Sequence, residues 1–173
     1  MNLIITCARH LEPETKEEMA RFLENFGDSE SQITITNMSG ILTAKTKLDP
    51  VEVVRKISKI IEDEPWSVRY CLRIIPIQKL SKTGIDEIEK SVEDLIYQIK
   101  QDESYRISIE KRNSNISSQE LITKIANKIK NKVSLENPDK IIQVEILGGN
   151  AGISILQKGE ILSVEKIKRS MSE

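Results

Sequence analysis

Between residues 105 and 132 the chain reads YRISIEKRNSNISSQELITKIANKIKNK, and here its residue types and spacing could do chemistry. Ile107 and Ile109 alternate with polar neighbours as in a strand, and Lys111, Arg112 and Asn113 follow as a polar basic turn. Ser117 with Glu120 three residues later is a capping box, and Ile116 with Leu121 has the spacing of a hydrophobic staple, so a helix starts at Ser117 and Ser118. Its first N–H groups lack intrahelical partners and point toward Lys111 and Arg112. Free helix N-terminal donors beside two cations suit a phosphate. Residues 111–132 hold six cations (Lys111, Arg112, Lys124, Lys128, Lys130, Lys132) against one acid, Glu120, while the whole chain is formally −1. An anionic partner for one face accounts for that asymmetry. So does an amphipathic helix with its lysines in water, and the charge count leaves both open.

Other reactive residue types are few. Cys7 and Cys71 lie in apolar strand patterns without CxxC spacing and read as buried, reduced thiols; with His10 as the one histidine, no metal site is expected. Cys7 and His10, three residues apart, are a conceivable nucleophile and base, but strand alternation turns them to different sides. No Gly-rich phosphate loop or nucleophile elbow occurs. Aromatic residues make up 3% of the chain, which weighs against base stacking as the main mode of RNA recognition. Trp66 and Tyr70 are expected in the core or at a domain interface, and any RNA would be held through phosphates and 2′-hydroxyls.

The elements that must position these residues follow from periodicity. At 173 residues, with a mean hydropathy of −0.34, the chain suits one domain or two small ones. No stretch has the length of a membrane span, and the start MNLIITCARH lacks signal-peptide features, so a cytoplasmic protein is expected. Residues 3–7 are strand-like, and Pro13 opens a helix ended by Gly27, with Glu14, Glu17, Glu18 and Glu24 on its polar face. Strands at 32–36 and 41–45 form a hairpin, Asp49-Pro50 opens a second helix, and residues 68–74 alternate as a fourth strand. That β-α-β-β-α-β order is the ferredoxin-like unit, in which first and last strands are neighbours and bring Cys7 near Cys71. Residues 81–84 are a polar break and 85–99 a long helix, acidic at Asp86, Glu87, Glu89, Glu93 and Asp94. After the basic turn and its helix come a strand at 141–147, a turn at Gly148-Gly149-Asn150, and a returning strand at 152–156. Residues 158–173 add Lys166, Lys168 and Arg169, either as a solvated tail or as an extension of the basic patch.

The runs VRYCLRIIPIQKLSKTGIDEIEKSVEDLI, IEKRNSNISSQELITKIANKI and KVSLENPDKIIQVEILGGNAGISIL resemble the THUMP-domain proteins of tRNA modification. More closely, the chain is similar to the stand-alone THUMP adaptors that assist cytidine acetylation in tRNA. The resemblance implies an α+β protein: an N-terminal ferredoxin-like βαββαβ domain over residues 1–80, then an α/β THUMP domain over 81–173. It further implies a non-catalytic, cofactor-free chain that docks the acceptor stem and single-stranded end of tRNA, away from any membrane. That chain would present the tRNA to a separate RNA acetyltransferase with its own ATP and acetyl-CoA sites, or to another tRNA-modifying enzyme. The positions matching the family pattern are Lys111, Arg112, Asn113, Ser117, Ser118 and the turn Gly148-Gly149, with Lys124 and Lys128 continuing the patch along the helix. A thiolation or methylation enzyme served by the same module is the alternative, as is a protein-interaction subunit that binds a basic enzyme through its acidic faces.

Overall fold

The computed structural model describes residues 1–172. Two compact units divide the chain: residues 1–76 with the last stretch from Gly159 onward, and residues 77–158. The first unit contains β1 (Leu3–Cys7), α1 (Glu12–Asn25), β2 (Gln32–Ile35), β3 (Ile41–Lys45), α2 (Pro50–Asp63) and β4 (Cys71–Pro76). These strands lie in the order β2-β3-β1-β4 with every neighbour antiparallel, the ferredoxin-like arrangement expected from the pattern. Leu3, Ile5, Leu42, Ala44 and Ile74 line one sheet face, covered by Met19 and Leu23 of α1 and by Val53, Val54, Ile57 and Ile61 of α2. Each of the Leu, Ile, Val and Met side chains, fully buried, contributes about 1.5–3 kcal/mol. Asp49 starts α2 by accepting the N–H groups of Val51 and Glu52, with Pro50 preset in the first turn.

The fourth strand starts three residues later than alternation suggests, for a specific reason. Glu18 of α1 is buried, and its carboxylate accepts the N–H groups of Arg69, Tyr70 and Cys71 at 2.8–3.2 Å. Arg69 and Tyr70 thus give their N–H groups to Glu18 ahead of the ladder, and pairing begins at Cys71, whose own N–H also goes to Glu18. Cys71 then stands opposite Cys7 in the β1–β4 register, as the ferredoxin-like strand order implies, and both thiols are free and buried.

The end of the chain departs from the expected layout. Residues 159 onward belong with the first unit, where β9 (Leu162–Ser163) pairs with β4, and α5 (Val164–Met171) packs beside α2. Leu162 and Val164 join the first core, with Ile167 against it. The open edge of β4 offers unpaired backbone and a place for these apolar side chains. A boundary sought along the sequence presumes contiguous domains, and this unit is discontinuous.

The second unit contains β5 (Lys79–Lys82), α3 (Ile85–Glu93), β6 (Tyr105–Arg112), α4 (Ser118–Ala126), β7 (Lys140–Leu147) and β8 (Asn150–Leu156). Its sheet runs β5-β8-β7-β6; β6 and β7 are parallel, with α4 in the connection between them, and the other pairs are antiparallel. Ile88 and Val92 of α3 and Leu121 and Ile125 of α4 cover Ile142, Val144, Ile146, Ala151, Ile153 and Ile155. The polar residues Ser81 and Lys82 fall in an edge strand on β8, not in a break; an edge strand needs little apolar alternation, and Leu80 is half exposed. The long helix expected at 85–99 ends at Glu93, and a 3-10 turn at Ile96–Gln98 follows, with Leu95 and Ile99 still in the core.

Leu162 is 1% exposed, so Leu162→Ala should lower the unfolding free energy by about 2–4 kcal/mol in a urea titration. A solvated tail would give no change.

Candidate nucleic-acid interface

The basic dipeptide is the end of a strand. Lys111 and Arg112 are the last two residues of β6, and alternation sends their side chains to opposite faces of the sheet. Lys111 shares the helix-covered face with Ile107 and Ile109, and its Nζ donates to the Ile116 carbonyl at 2.8 Å, closing the loop into α4. Asn113 begins that loop at φ 56°, a left-handed conformation that asparagine tolerates better than most residues. Ser117 is the N-cap of α4, its Oγ accepting the Glu120 N–H at 3.2 Å, and Ser118 is the first helical residue. Leu121 is buried and Ile116 packs on the same core, so the staple and half of the capping box exist as read from the sequence. The Lys111 ammonium therefore lies beside the N-terminus of α4, where the exposed N–H groups and the helix dipole favour an anion.

Arg112 is committed on the other face. Its guanidinium stands 3.7 Å from Glu145 Oε2, and Glu145 is fully buried, with Gln143 Nε2 donating to its second oxygen at 3.2 Å. About a third of the Arg112 side chain, 30%, remains exposed. The backbone around it is tied to the β7–β8 turn: Gly148 N–H donates to the Arg112 carbonyl at 2.8 Å. From the other side, Thr83 donates its N–H to the Gly149 carbonyl at 3.0 Å and its hydroxyl to the Gly148 carbonyl at 2.8 Å. Gly148 sits at φ 60°, and Gly149 is exposed, with no atom near the position of a Cβ.

Strand pairing adds a cation that sequence reading passed over. Arg112 is opposite Leu147, Leu147 opposite Asn150, and Asn150 opposite Lys82, so exposed Lys82 and Arg112 bracket the Gly148-Gly149 turn in one cross-sheet row. Nothing in the spacing of residues 82 and 112 signals this neighbourhood; only the β5–β8 pairing makes it. Thr83 was hidden in the same way, its role being to hold the turn.

Lys124 and Lys128 do not stand in open solvent. Lys124 Nζ lies 3.8 Å from Asp86, and Lys128 Nζ lies 3.1 Å from Glu93 and 3.6 Å from Glu89. The hydrogen bond with Glu93, then its charge and that of Glu89, hold the Lys128 ammonium above its ordinary pKa. Lys124 of α4 and Lys128, which lies just beyond the end of α4, thus face the acidic side of α3, and part of the charge asymmetry is satisfied inside the unit. Each of these half-exposed pairs contributes about 0–1 kcal/mol.

The alternative chemistry at the first strand finds little geometric help. Burial raises the Cys7 thiol pKa, although a hydrogen bond with Thr15 opposes this, and His10 sits on an exposed turn at φ 75°. Trp66, expected in the core or an interface, is 72% exposed.

Residues 82–156 match the family model described as the THUMP domain. The second unit is a THUMP domain. The match begins at Lys82 and ends at Leu156, so it takes in the cross-sheet row, the glycine turn and all of α4. An uncharacterized protein of Methanocaldococcus jannaschii, MJ0421, is 27% identical over 126 residues, covering 70% of this chain and 35% of that protein. Among solved structures, PH1313 from Pyrococcus horikoshii matches with a TM-score of 0.61 and 17% identity, over 91% of this chain and 55% of that one. TrmN from Thermus thermophilus matches with a TM-score of 0.55 and 11% identity, over 90% of this chain and 45% of that one. A 4-thiouridine synthetase in complex with RNA and ATP matches with a TM-score of 0.53 and 12% identity, over 94% of this chain and 42% of that one. At these identities the solved structures share the fold, and this chain spans roughly a third to a half of the length of the proteins it matches.

Because Glu145 is buried, Arg112→Ala should cost about 1.5–3 kcal/mol of stability. Lys111→Ala, at an exposed position, should stay within about 1 kcal/mol. Urea unfolding of the two variants checks the difference.

Proposed function

We propose that this chain is a non-catalytic tRNA-binding module that docks the acceptor stem and single-stranded end of tRNA and presents the tRNA to an RNA cytidine acetyltransferase. The observation that carries the RNA-binding part is the sheet end of the THUMP domain, where Lys82, Lys111 and Arg112 surround the Gly148-Gly149 turn and the start of α4. Phosphate oxygens meet cations there on both sides of exposed backbone, and Ser117 and Ser118 bring hydroxyl and N–H groups. Such contacts recognise shape and charge, in keeping with a site without an aromatic ring among these residues. The acetylation part rests on the family resemblance of the sequence. A second reading, service to a thiolation or methylation enzyme, draws on the fold likeness to the 4-thiouridine synthetase and to the methyltransferase SMU.472.

Lys82→Ala with Lys111→Ala should weaken binding to all tRNAs alike and reduce the slope of log K against log salt by about 0.7–0.9 for each phosphate no longer neutralised. Filter binding of bulk tRNA, and of an acceptor mini-helix with and without its single-stranded end, measures this; an unchanged slope removes the sheet end from the interface. Lys124→Ala with Lys128→Ala should alter the slope less, since both lysines face carboxylates. Mass spectrometry of tRNA nucleosides from cells lacking the gene separates the enzyme classes: lost acetylcytidine supports the adaptor, and lost thiouridine or a methylated base replaces it with the second reading.

A further inference from the structure

The ferredoxin-like unit carries a feature that the THUMP site does not use. Trp66 projects from a 3-10 turn (Pro65–Ser67) just after α2 and is largely exposed, although an indole is the side chain with the most to gain from burial. Three residues on, the Arg69 guanidinium lies over the Tyr70 ring, 5.4 Å from its centroid. The end of α5 comes to the same place: Lys168 Nζ donates to the Val68 carbonyl at 3.1 Å, between Trp66 and Tyr70 in the chain. Lys166 and Arg169 of α5 are exposed, and Met171 beyond them is half exposed. Glu62, Asp63 and Glu64 precede Trp66, but Asp63 pairs with Lys59, and Glu64 accepts the Ser67 hydroxyl.

From this juxtaposition we infer that Trp66, with Arg69, Tyr70 and the cationic end of α5, is a stacking platform for single-stranded RNA. An exposed indole and a guanidinium–phenol stack offer flat faces to unpaired bases, which a duplex keeps to itself. Lys166, Lys168 and Arg169 supply positive charge for the phosphates between such bases, and they offset the unfavourable dipole at the C-terminus of α5. A protein partner would gain from the indole as well, but the Arg69 guanidinium over Tyr70 and the Lys168 ammonium at Val68 fit a polyanion with π-faces better. The inference rests on the reading of this chain as an RNA-binding protein and adds a second contact, on the other unit.

Trp66 is the one tryptophan of the chain, so its emission reports on this place alone. The full chain is titrated with a ten-nucleotide oligouridylate and, separately, with a blunt RNA duplex of equal length at low salt. The single strand should quench the emission and the duplex should leave it nearly unchanged. Trp66→Ala should weaken oligouridylate binding, read by anisotropy of a labelled oligonucleotide, by about tenfold, and Trp66→Phe by less. Lys166→Ala with Arg169→Ala should lower the salt slope by about 0.7 for each phosphate set free. Equal quenching by duplex and single strand, or no quenching while bulk tRNA still binds through Lys82 and Lys111, overturns the platform and leaves the THUMP site standing. Quenching that survives Lys82→Ala with Lys111→Ala, when those changes leave the salt slope of tRNA binding unaltered, supports the platform and counts against the sheet end.

Discussion

The parallel pairing of β6 with β7 is the constraint on which the rest of the THUMP domain depends. Parallel neighbours require a long connection, and here α4 lies within it, so the end of β6, the end of β7 and the start of α4 lie toward one end of the sheet. Eight consecutive register pairs, from Tyr105 with Lys140 to Arg112 with Leu147, fix that geometry. The β7–β8 hairpin then places its glycine turn at the same end, and β5 completes the row with Lys82. Cations separated by thirty residues thereby share one row because their strands are neighbours of neighbours.

Holding those cations in place requires groups that never face a ligand. Arg112 is held by a carboxylate in the interior, Lys111 by a loop carbonyl, and the glycine turn by Thr83 on one side and the β6 backbone on the other. A buried carboxylate such as Glu145 is costly unless it is paired and hydrogen-bonded, so the sheet face that carries it is specified closely. The first unit uses the same device when Glu18 gathers three consecutive N–H groups at the start of β4. In both units an acid in the interior decides where a strand starts or which way a cation reaches.

Charge is distributed by packing as much as by composition. Lys124 and Lys128 meet the acidic side of α3 as ion pairs, which satisfies part of the local excess of lysine and leaves the sheet end as a cationic surface with exposed backbone beside it. At the other unit, α5 brings the Lys168 ammonium to the Val68 carbonyl, two residues after an indole in water.

Local patterns in the sequence determined much of this protein. Alternation and helical spacing gave β6 through β8 and the start of α4 at Ser117, because each depends on residues within one turn or one strand of each other, while the ferredoxin-like order and the Cys7–Cys71 juxtaposition followed from the succession of those elements. The resemblance pointed to the THUMP domain, and the match at residues 82–156 shows it. Tertiary structure alone decided the rest. Residues 159 onward rejoin the first unit through an open strand edge; Lys82 enters the site by pairing; Lys124 and Lys128 meet carboxylates across a helix interface; Trp66 stays in solvent. These outcomes turn on which surfaces are left uncovered after the cores form, and burial is a property of the packed chain that no local spacing encodes.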